Sequence, residues 1–400
     1  MIGTMGPRIL FVSFIWLAAG SVAWGMADGC RTARVTTLPG SREFASDFLE
    51  AMATDPAARH QNTVWGLTAD LSSNVPAEQR AMYISRSNDS GKSWTVVARV
   101  GPEYFDADIG EGERNGLAVY PGGREFVITT QRGAFQVFPQ TNGDAVVKAI
   151  AGPRVPKPDP EITIPKKEGD PETAGVVKIT GDGQWLIVSY GYFDLEPKIF
   201  LYRRGANKSW RNGKPLLPLP TDMDVLSMQF GDGRNALASS LYVGTGDQAY
   251  RLKAHARQWT QIDGVGPDSA IQGISTVGGP HLAACWGVYD PVDADTVERV
   301  IHASFLLHRD EDEAGPEIRA FGIEVDPSRP SHEVVTGLTG AYASADAGKN
   351  WKRLNDLPDG EFRLAHFNSD GTVIVTGIEG SFIANPFGQG CSVRLQRRGQ

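Results

Sequence analysis

The residues best suited to chemistry are carboxylates interleaved with aromatic side chains in five polar segments, 68–80, 101–115, 152–174, 191–198 and 289–299. At or near them stand Trp65, Tyr104, Asp106, Asp108, Arg114, Tyr190, Tyr192, Asp194, Trp286, Tyr289 and Asp290. Rings that stack on the C–H faces of a sugar, beside carboxylates that bind hydroxyls or act as acid and base, are the chemistry of carbohydrate recognition and glycoside hydrolysis. Taken singly, an acidic side chain in such a loop usually does no more than solvate a surface, so the set carries weight only if one face gathers it. Asp290, Asp293 and Asp295 offer three carboxylates to a hard cation such as Ca²⁺, without the glycine and distal glutamate of an EF-hand loop. The seven histidines show neither HxH nor HExxH spacing, which speaks against catalytic zinc. No G-x-S-x-G elbow, P-loop or dinucleotide fingerprint occurs.

The scaffold that must position these residues is rich in glycine (46 of 400) and tryptophan (9), with 41% apolar and 22% charged residues. That composition buries a core and favours many short strands joined by tight turns. A net charge of -8 argues against a nucleic-acid or anionic-membrane partner, each of which needs clustered Lys and Arg. Three cysteines exclude a disulfide-dense mini-fold.

The first 27 residues read as an export signal: Arg8, an apolar run from Ile9 to Ala19, then small residues up to Ala27. The run is shorter than the ~20 residues that span hydrocarbon, so no membrane insertion is expected after cleavage, and the mature chain, 28–400, is secreted or periplasmic. Asp28 fits poorly with lipidation at Cys30. In an oxidising compartment Cys30 and Cys391 can form a disulfide that ties the two ends together, while Cys285, at the end of an apolar run, reads as a buried thiol.

A repeat organises everything after residue 45. Ser87-Asn88-Asp89-Ser90-Gly91-Lys92-Ser93-Trp94 and Ser344-Ala345-Asp346-Ala347-Gly348-Lys349-Asn350-Trp351 share the pattern S-x-D-x-G-K-x-W, each after a strand-like run. Gly supplies a positive φ, the Asp carboxylate accepts turn N–H groups, and the Trp opens the next strand. Decayed copies end at Trp210 and Trp259. A second pattern sets a strand ending in Thr, a short turn and a small residue before an aromatic, as in Thr129 to Phe135, Thr336 to Tyr342 and Thr376 to Phe382. In Trp65-Gly66, Tyr190-Gly191 and Trp286-Gly287 the equivalent strand is read as ending aromatic-Gly, with polar insertions after it.

The S-x-D-x-G-K-x-W segments resemble the Asp-box, or BNR, repeat of sialidases and other secreted β-propellers. The resemblance implies an all-β propeller in which the Asp box joins the third and fourth strands of a blade, at the rim of one face. Ser87, Asp89, Gly91, Trp94, Ser344, Asp346, Gly348 and Trp351 are then structural, and the five polar segments gather on the opposite face, where ligands sit. The Phe/Tyr-Arg-Ile-Pro motif of the sialidase site is absent, so no catalytic residue carries over.

Units fall at roughly 46–100, 114–150, 173–217, 222–264, 268–319, 320–355 and 360–395, which predicts seven blades, with six as the competitor because the fifth and sixth units are hard to separate. The last unit shows three strands, and segment 31–38 is positioned to supply the fourth and close the ring. The expected function is a non-catalytic scaffold binding a glycan or a protein through the loop face. The alternative is a secreted glycoside hydrolase with acidic residues on that face.

Overall fold

The computed structural model describes residues 33–34, 49–57, 62–69, 76–105, 115–156, 166–191, 196–231, 239–266, 269–285, 287–302 and 320–388. Seven four-stranded antiparallel sheets form a seven-bladed β-propeller. Strand β1 (Ala33–Arg34) stands apart from the blade that follows it. Blade 1 is β2–β5 (Ala51–Ala53, Val64–Ala69, Met82–Ser87, Thr95–Val100), and blade 2 is β6–β9 (Gly116–Val119, Phe126–Thr130, Gly133–Pro139, Ala145–Ala149). Blade 3 is β10–β13 (Ala174–Ile179, Trp185–Tyr190, Lys198–Arg204, Trp210–Pro215), and blade 4 is β14–β17 (Val225–Phe230, Leu241–Thr245, Ala249–Leu252, Thr260–Gln261). Blade 5 is β18–β21 (Ile271–Ser275, His281–Ala284, Gly287–Pro291, Val297–His302), and blade 6 is β22–β25 (Ala320–Val325, Glu333–Gly337, Gly340–Ser344, Lys352–Arg353). Blade 7 is β26–β28 (Phe362–Phe367, Val373–Gly377, Gly380–Ala384) with β1 as its outermost strand.

The ring closes as the unit count predicts: Ala33 pairs with Ile383 and Arg34 with Phe382. The fifth and sixth units are separate blades, which settles seven against six. Cys30, Cys391 and the export segment 1–27 lie outside the described residues. Cys285 is half-buried rather than fully enclosed.

First strands pack against first strands around the central channel. In five blades this innermost strand carries a register shift near its start, between Ala174 and Val177, Val225 and Ser227, Ile271 and Gly273, Ala320 and Gly322, and Phe362 and Leu364. Such bulges bend a strand and raise its twist. Close approach demands small residues there: a Cβ on Gly273 would lie 2.9 Å from the Gly322 Cα, and one on Gly322 2.8 Å from the Arg363 carbonyl oxygen. Hydroxyls on the inner strands reach the backbone of the next blade: Thr129 of β7 donates to the Gly175 carbonyl, Ser227 of β14 donates to the Ile271 carbonyl at 2.8 Å, and Thr376 of β27 accepts the Leu49 N–H at 3.0 Å. That explains the Thr that recurs in the second sequence pattern. Apolar side chains fill the space between blades, for example Leu67 and Ile84 of blade 1 against Phe126, Ile128 and Val137 of blade 2.

Antiparallel order gives each face of the ring its own set of connections. The hairpin face carries the turns between first and second and between third and fourth strands. The connection face carries the turns between second and third strands and the blade-to-blade segments.

Candidate functional site

Both S-x-D-x-G-K-x-W segments join a third to a fourth strand, β4 to β5 and β24 to β25, and so lie on the hairpin face. Their bonding is nearly identical. Ser87 Oγ donates to Asp89 Oδ1 at 2.8 Å and accepts the Gly91 N–H at 2.8 Å, and Asp89 Oδ1 accepts the Ser93 N–H at 2.9 Å. The Trp94 indole N–H donates to the Gly91 carbonyl at 2.9 Å. In the other copy Ser344 Oγ donates to Asp346 Oδ1 at 2.9 Å and accepts the Gly348 N–H at 3.0 Å, Asp346 Oδ1 accepts the Asn350 N–H at 2.8 Å, and Trp351 donates to the Gly348 carbonyl at 2.8 Å. Burial opposes ionisation of both aspartates, but the bonds from Ser93 and Ser87, and from Asn350 and Ser344, hold the carboxyls below the usual range. A left-handed residue precedes each glycine, Ser90 (φ 60°) and Ala347 (φ 55°). The decayed copies keep it at Lys208 and His255, both φ 62°.

Of the residues that the sequence gathers on one face, the five that are described do not share one surface. Trp65 is the second residue of β3, not the end of a strand. It is 4% exposed and its ring meets Phe126 in the blade 1–blade 2 core. Tyr190 is buried, with its hydroxyl 2.8 Å from that of Tyr202, and burial first, then Tyr202, push its ionisation upward. Tyr104 is half-buried on the connection face, edge-on to Phe135 at 5.2 Å. Asp106, Asp108, Arg114, Tyr192, Asp194 and Trp286 lie outside the described residues.

Segment 289–299 falls on the opposite face from the one expected. Strand β20 starts at Gly287, three residues after β19 ends, so residues 292–296 form a third-to-fourth-strand turn on the hairpin face. Gly287 sits at φ 140°, which makes the short turn feasible and leaves no insertion after Trp286. Tyr289 is buried in the blade 4–blade 5 core. The expected calcium trio does not converge either. Asp290 turns inward to His281, whereas Asp295 faces Arg251 at 3.0 Å and Lys253 at 2.8 Å.

A different set of polar residues occupies the central channel. At its connection-face mouth, Glu50 precedes β2, Asn115 precedes β6, and Arg363 is the second residue of β26. Asn115 Nδ2 donates to Glu50 Oε2. Burial pushes the Glu50 carboxyl up to about 7, against the Asn115 hydrogen bond and the Arg363 charge. Arg363 pairs with Glu361 and lies 6.0 Å from the Phe321 ring centroid. Toward the hairpin face, burial pushes the Lys178 ammonium down and the Glu324 charge counters it. Blades 3 and 6 are not neighbours in the ring, so Lys178 and Glu324 can sense each other only across the channel. His366 Nδ1 stands 3.7 Å from Glu324 Oε1. The channel thus holds a carboxyl titrating near neutrality at its mouth and groups of both signs along its wall. Sequence reasoning missed them because Glu50 and Asn115 are 65 residues apart and meet only when the ring closes.

No protein-family model matches the chain, and no curated protein matches it by sequence. The fold has counterparts among solved structures. The extracellular domain of a hybrid two-component system from B. thetaiotaomicron superposes with a TM-score of 0.54 at 8% identity, over 89% of this chain and 40% of that one. The GH74 xyloglucanase from Xanthomonas campestris gives 0.53 at 12% identity, over 88% of this chain and 53% of that one. The WD40 repeats of RRP9 give 0.52 at 8% identity, over 88% and 97%. This chain therefore spans about half or less of the first two. At these identities the likeness is one of fold.

Proposed function

We propose that this propeller is an exported, non-catalytic binding scaffold that receives a polar segment of a protein partner at the connection-face mouth of its channel. The observation that carries this reading is the Glu50–Asn115–Arg363 group. A guanidinium and a carboxyl near neutrality, set together on three adjacent blades, suit a ligand that offers both donors and acceptors. Burial of Trp65, Tyr190 and Tyr289 removes three of the rings on which a glycan-binding reading rested, which favours a protein over a sugar. Export rests on the charged, apolar and small-residue pattern of residues 1–27.

One observation supports a glycoside hydrolase as the second reading: a carboxyl titrating near 7 is suited to protonate a leaving group, and Glu361 stands beside the same arginine. The test is a peptide-library and glycan-array screen on the exported chain, with product analysis of every bound glycan. The scaffold reading expects peptide binding that falls at least tenfold in Arg363→Ala without loss of fold. Glycan turnover that disappears in Glu50→Gln would replace it with the hydrolase. Peptide binding that survives Arg363→Ala would remove the mouth as its basis.

A further inference from the structure

On the hairpin face between blades 5 and 6, three buried side chains converge from different strands. His281 opens β19, Asp290 lies near the end of β20, and Glu333 opens β23, with exposures of 6%, 8% and 0%. One ligand-capable atom from each lies within 4.8 Å of the others. His281 Nδ1 is 2.9 Å from Asp290 Oδ1 and 3.7 Å from Glu333 Oε1. His281 Nε2 is 3.0 Å from the Val277 carbonyl oxygen. A carbonyl only accepts, so Nε2 carries a proton there, and Nδ1 faces the Asp290 and Glu333 carboxyls. Neither oxygen of Glu333 has a hydrogen-bond donor. A buried carboxyl without a donor, beside a second carboxyl and an imidazole nitrogen, is costly unless a proton or a metal cation is shared among them.

The pseudo-symmetry of the ring shows that the fold does not require this arrangement. Counted from the two-residue turns after β19 and β27, His281 and Asp290 occupy the positions of Ile374 and Ile383 in blade 7. Glu333 pairs with Ser344, the first residue of one Asp hairpin, as Val64 pairs with Ser87 in the other. Where blade 1 rests on blade 7, the cluster is Val64, Ile374 and Ile383, packed under Trp94. The floor that is wholly aliphatic at one junction is imidazole plus two carboxylates at the other. Exchanging three buried aliphatic residues for three metal-ligand types at equivalent positions is a ligand signal that no local spacing reveals.

We propose that His281 Nδ1, Asp290 and Glu333 bind a divalent transition-metal ion of the zinc or manganese class in this pocket. Ligand atoms held at ~2.1 Å around a tetrahedral ion stand about 3.4 Å apart, which the 2.9 and 3.7 Å separations bracket. An imidazole donor suits zinc or manganese better than calcium, which takes six to eight oxygens. The Nε2 bond to the Val277 carbonyl is the outer contact that fixes the tautomer of a ligating histidine. The ion would lie beneath the second Asp hairpin: a Cβ on Gly348 would fall 2.0 Å from Asp290 Oδ2.

The test uses the full chain refolded from chelator, then dialysed against Zn²⁺, Mn²⁺, Ca²⁺ or Mg²⁺. Bound metal is counted by plasma mass spectrometry and the melting temperature is read for each. Retention of one zinc or manganese per chain, with a rise in melting temperature absent with Ca²⁺ and Mg²⁺, is expected. Glu333→Gln should weaken retention at least tenfold. The triple variant His281→Ile, Asp290→Ile, Glu333→Val copies the aliphatic floor, so it should fold with a melting temperature indifferent to metal. No retention by the unaltered chain, equal retention by the triple variant, or a preference for Ca²⁺ would each overturn the proposal.

Discussion

The two Asp hairpins are near copies of each other on floors that share nothing. Each closes with the same serine-to-aspartate, glycine-to-serine and indole-to-carbonyl bonds, and each has a left-handed residue before its glycine. Yet a side chain at Gly91 would strike Ile374, whereas one at Gly348 would strike Asp290. A turn is written by eight consecutive residues, while the surface it rests on comes from the preceding blade and from a neighbouring strand of its own, and can change chemistry without disturbing the turn. Identical local motifs are therefore no guide to what lies beneath them.

The largest effect expected from testing this comparison is loss of the indole. Trp94 packs on Leu49, Val64, Ile374 and Ile383, and Trp351 on Ala283, Val288, Val335 and Tyr342. Trp94→Ala and Trp351→Ala should each cost about 3–5 kcal/mol in chemical unfolding, because each empties a core as well as breaking the indole bond. Costs that differ severalfold would show that the floor contributes through the tryptophan, and the two hairpins would no longer be interchangeable. Next is Val64→Glu, which places a carboxyl on the aliphatic floor with no partner. Destabilisation of about 3 kcal/mol is expected, rising toward high pH as the group is forced to ionise. A neutral outcome would mean that this junction accommodates a buried carboxyl as readily as the other does.

The smallest effect is removal of the aspartates. Asp89→Ala and Asp346→Ala should each cost about 1–2 kcal/mol at pH 7, from charge-assisted bonds to a partly exposed turn. Both carboxyls titrate below the ordinary aspartate value when folded. Their contribution is therefore complete above the unfolded value and is lost as pH falls through the folded one, so variant and parent should converge in strong acid. A gap that persists there would assign the effect to turn geometry and not to charge.

Much of the architecture was legible because its signals are local. Asp, Gly and Trp at fixed spacing mark each of the two Asp hairpins, and the recurring Thr marks the second strands of blades 2, 6 and 7. The missing strand of the last unit pointed to its supplier near residue 33 by arithmetic alone. The site was hardly legible, for reasons that particular residues show. Trp65-Gly66 resembles a strand end but stands at a strand start, because strand direction is not visible in a dipeptide. Trp286-Gly287 reads in sequence as the end of a strand before an insertion, yet Gly287 opens β20, which puts Asp290 on the hairpin face. Glu50 and Glu333 owe their raised pKa values to burial, and in Glu333 also to Asp290 and Asp346. The groups around them, Asn115 and Arg363 for one and His281 and Asp290 for the other, lie dozens of residues away, at separations no motif encodes.

The outermost strand of blade 7 is the first described strand, and its two rungs join residues separated by nearly the whole described sequence. Closing so long a loop is entropically slow, so the last blade can gain its fourth strand only after the other six have brought the ends together. Assembly order is thus built into connectivity: of the described strands, the one synthesised earliest docks last. Until it docks, β28 presents a bare strand edge, the feature on which misassembly between chains begins.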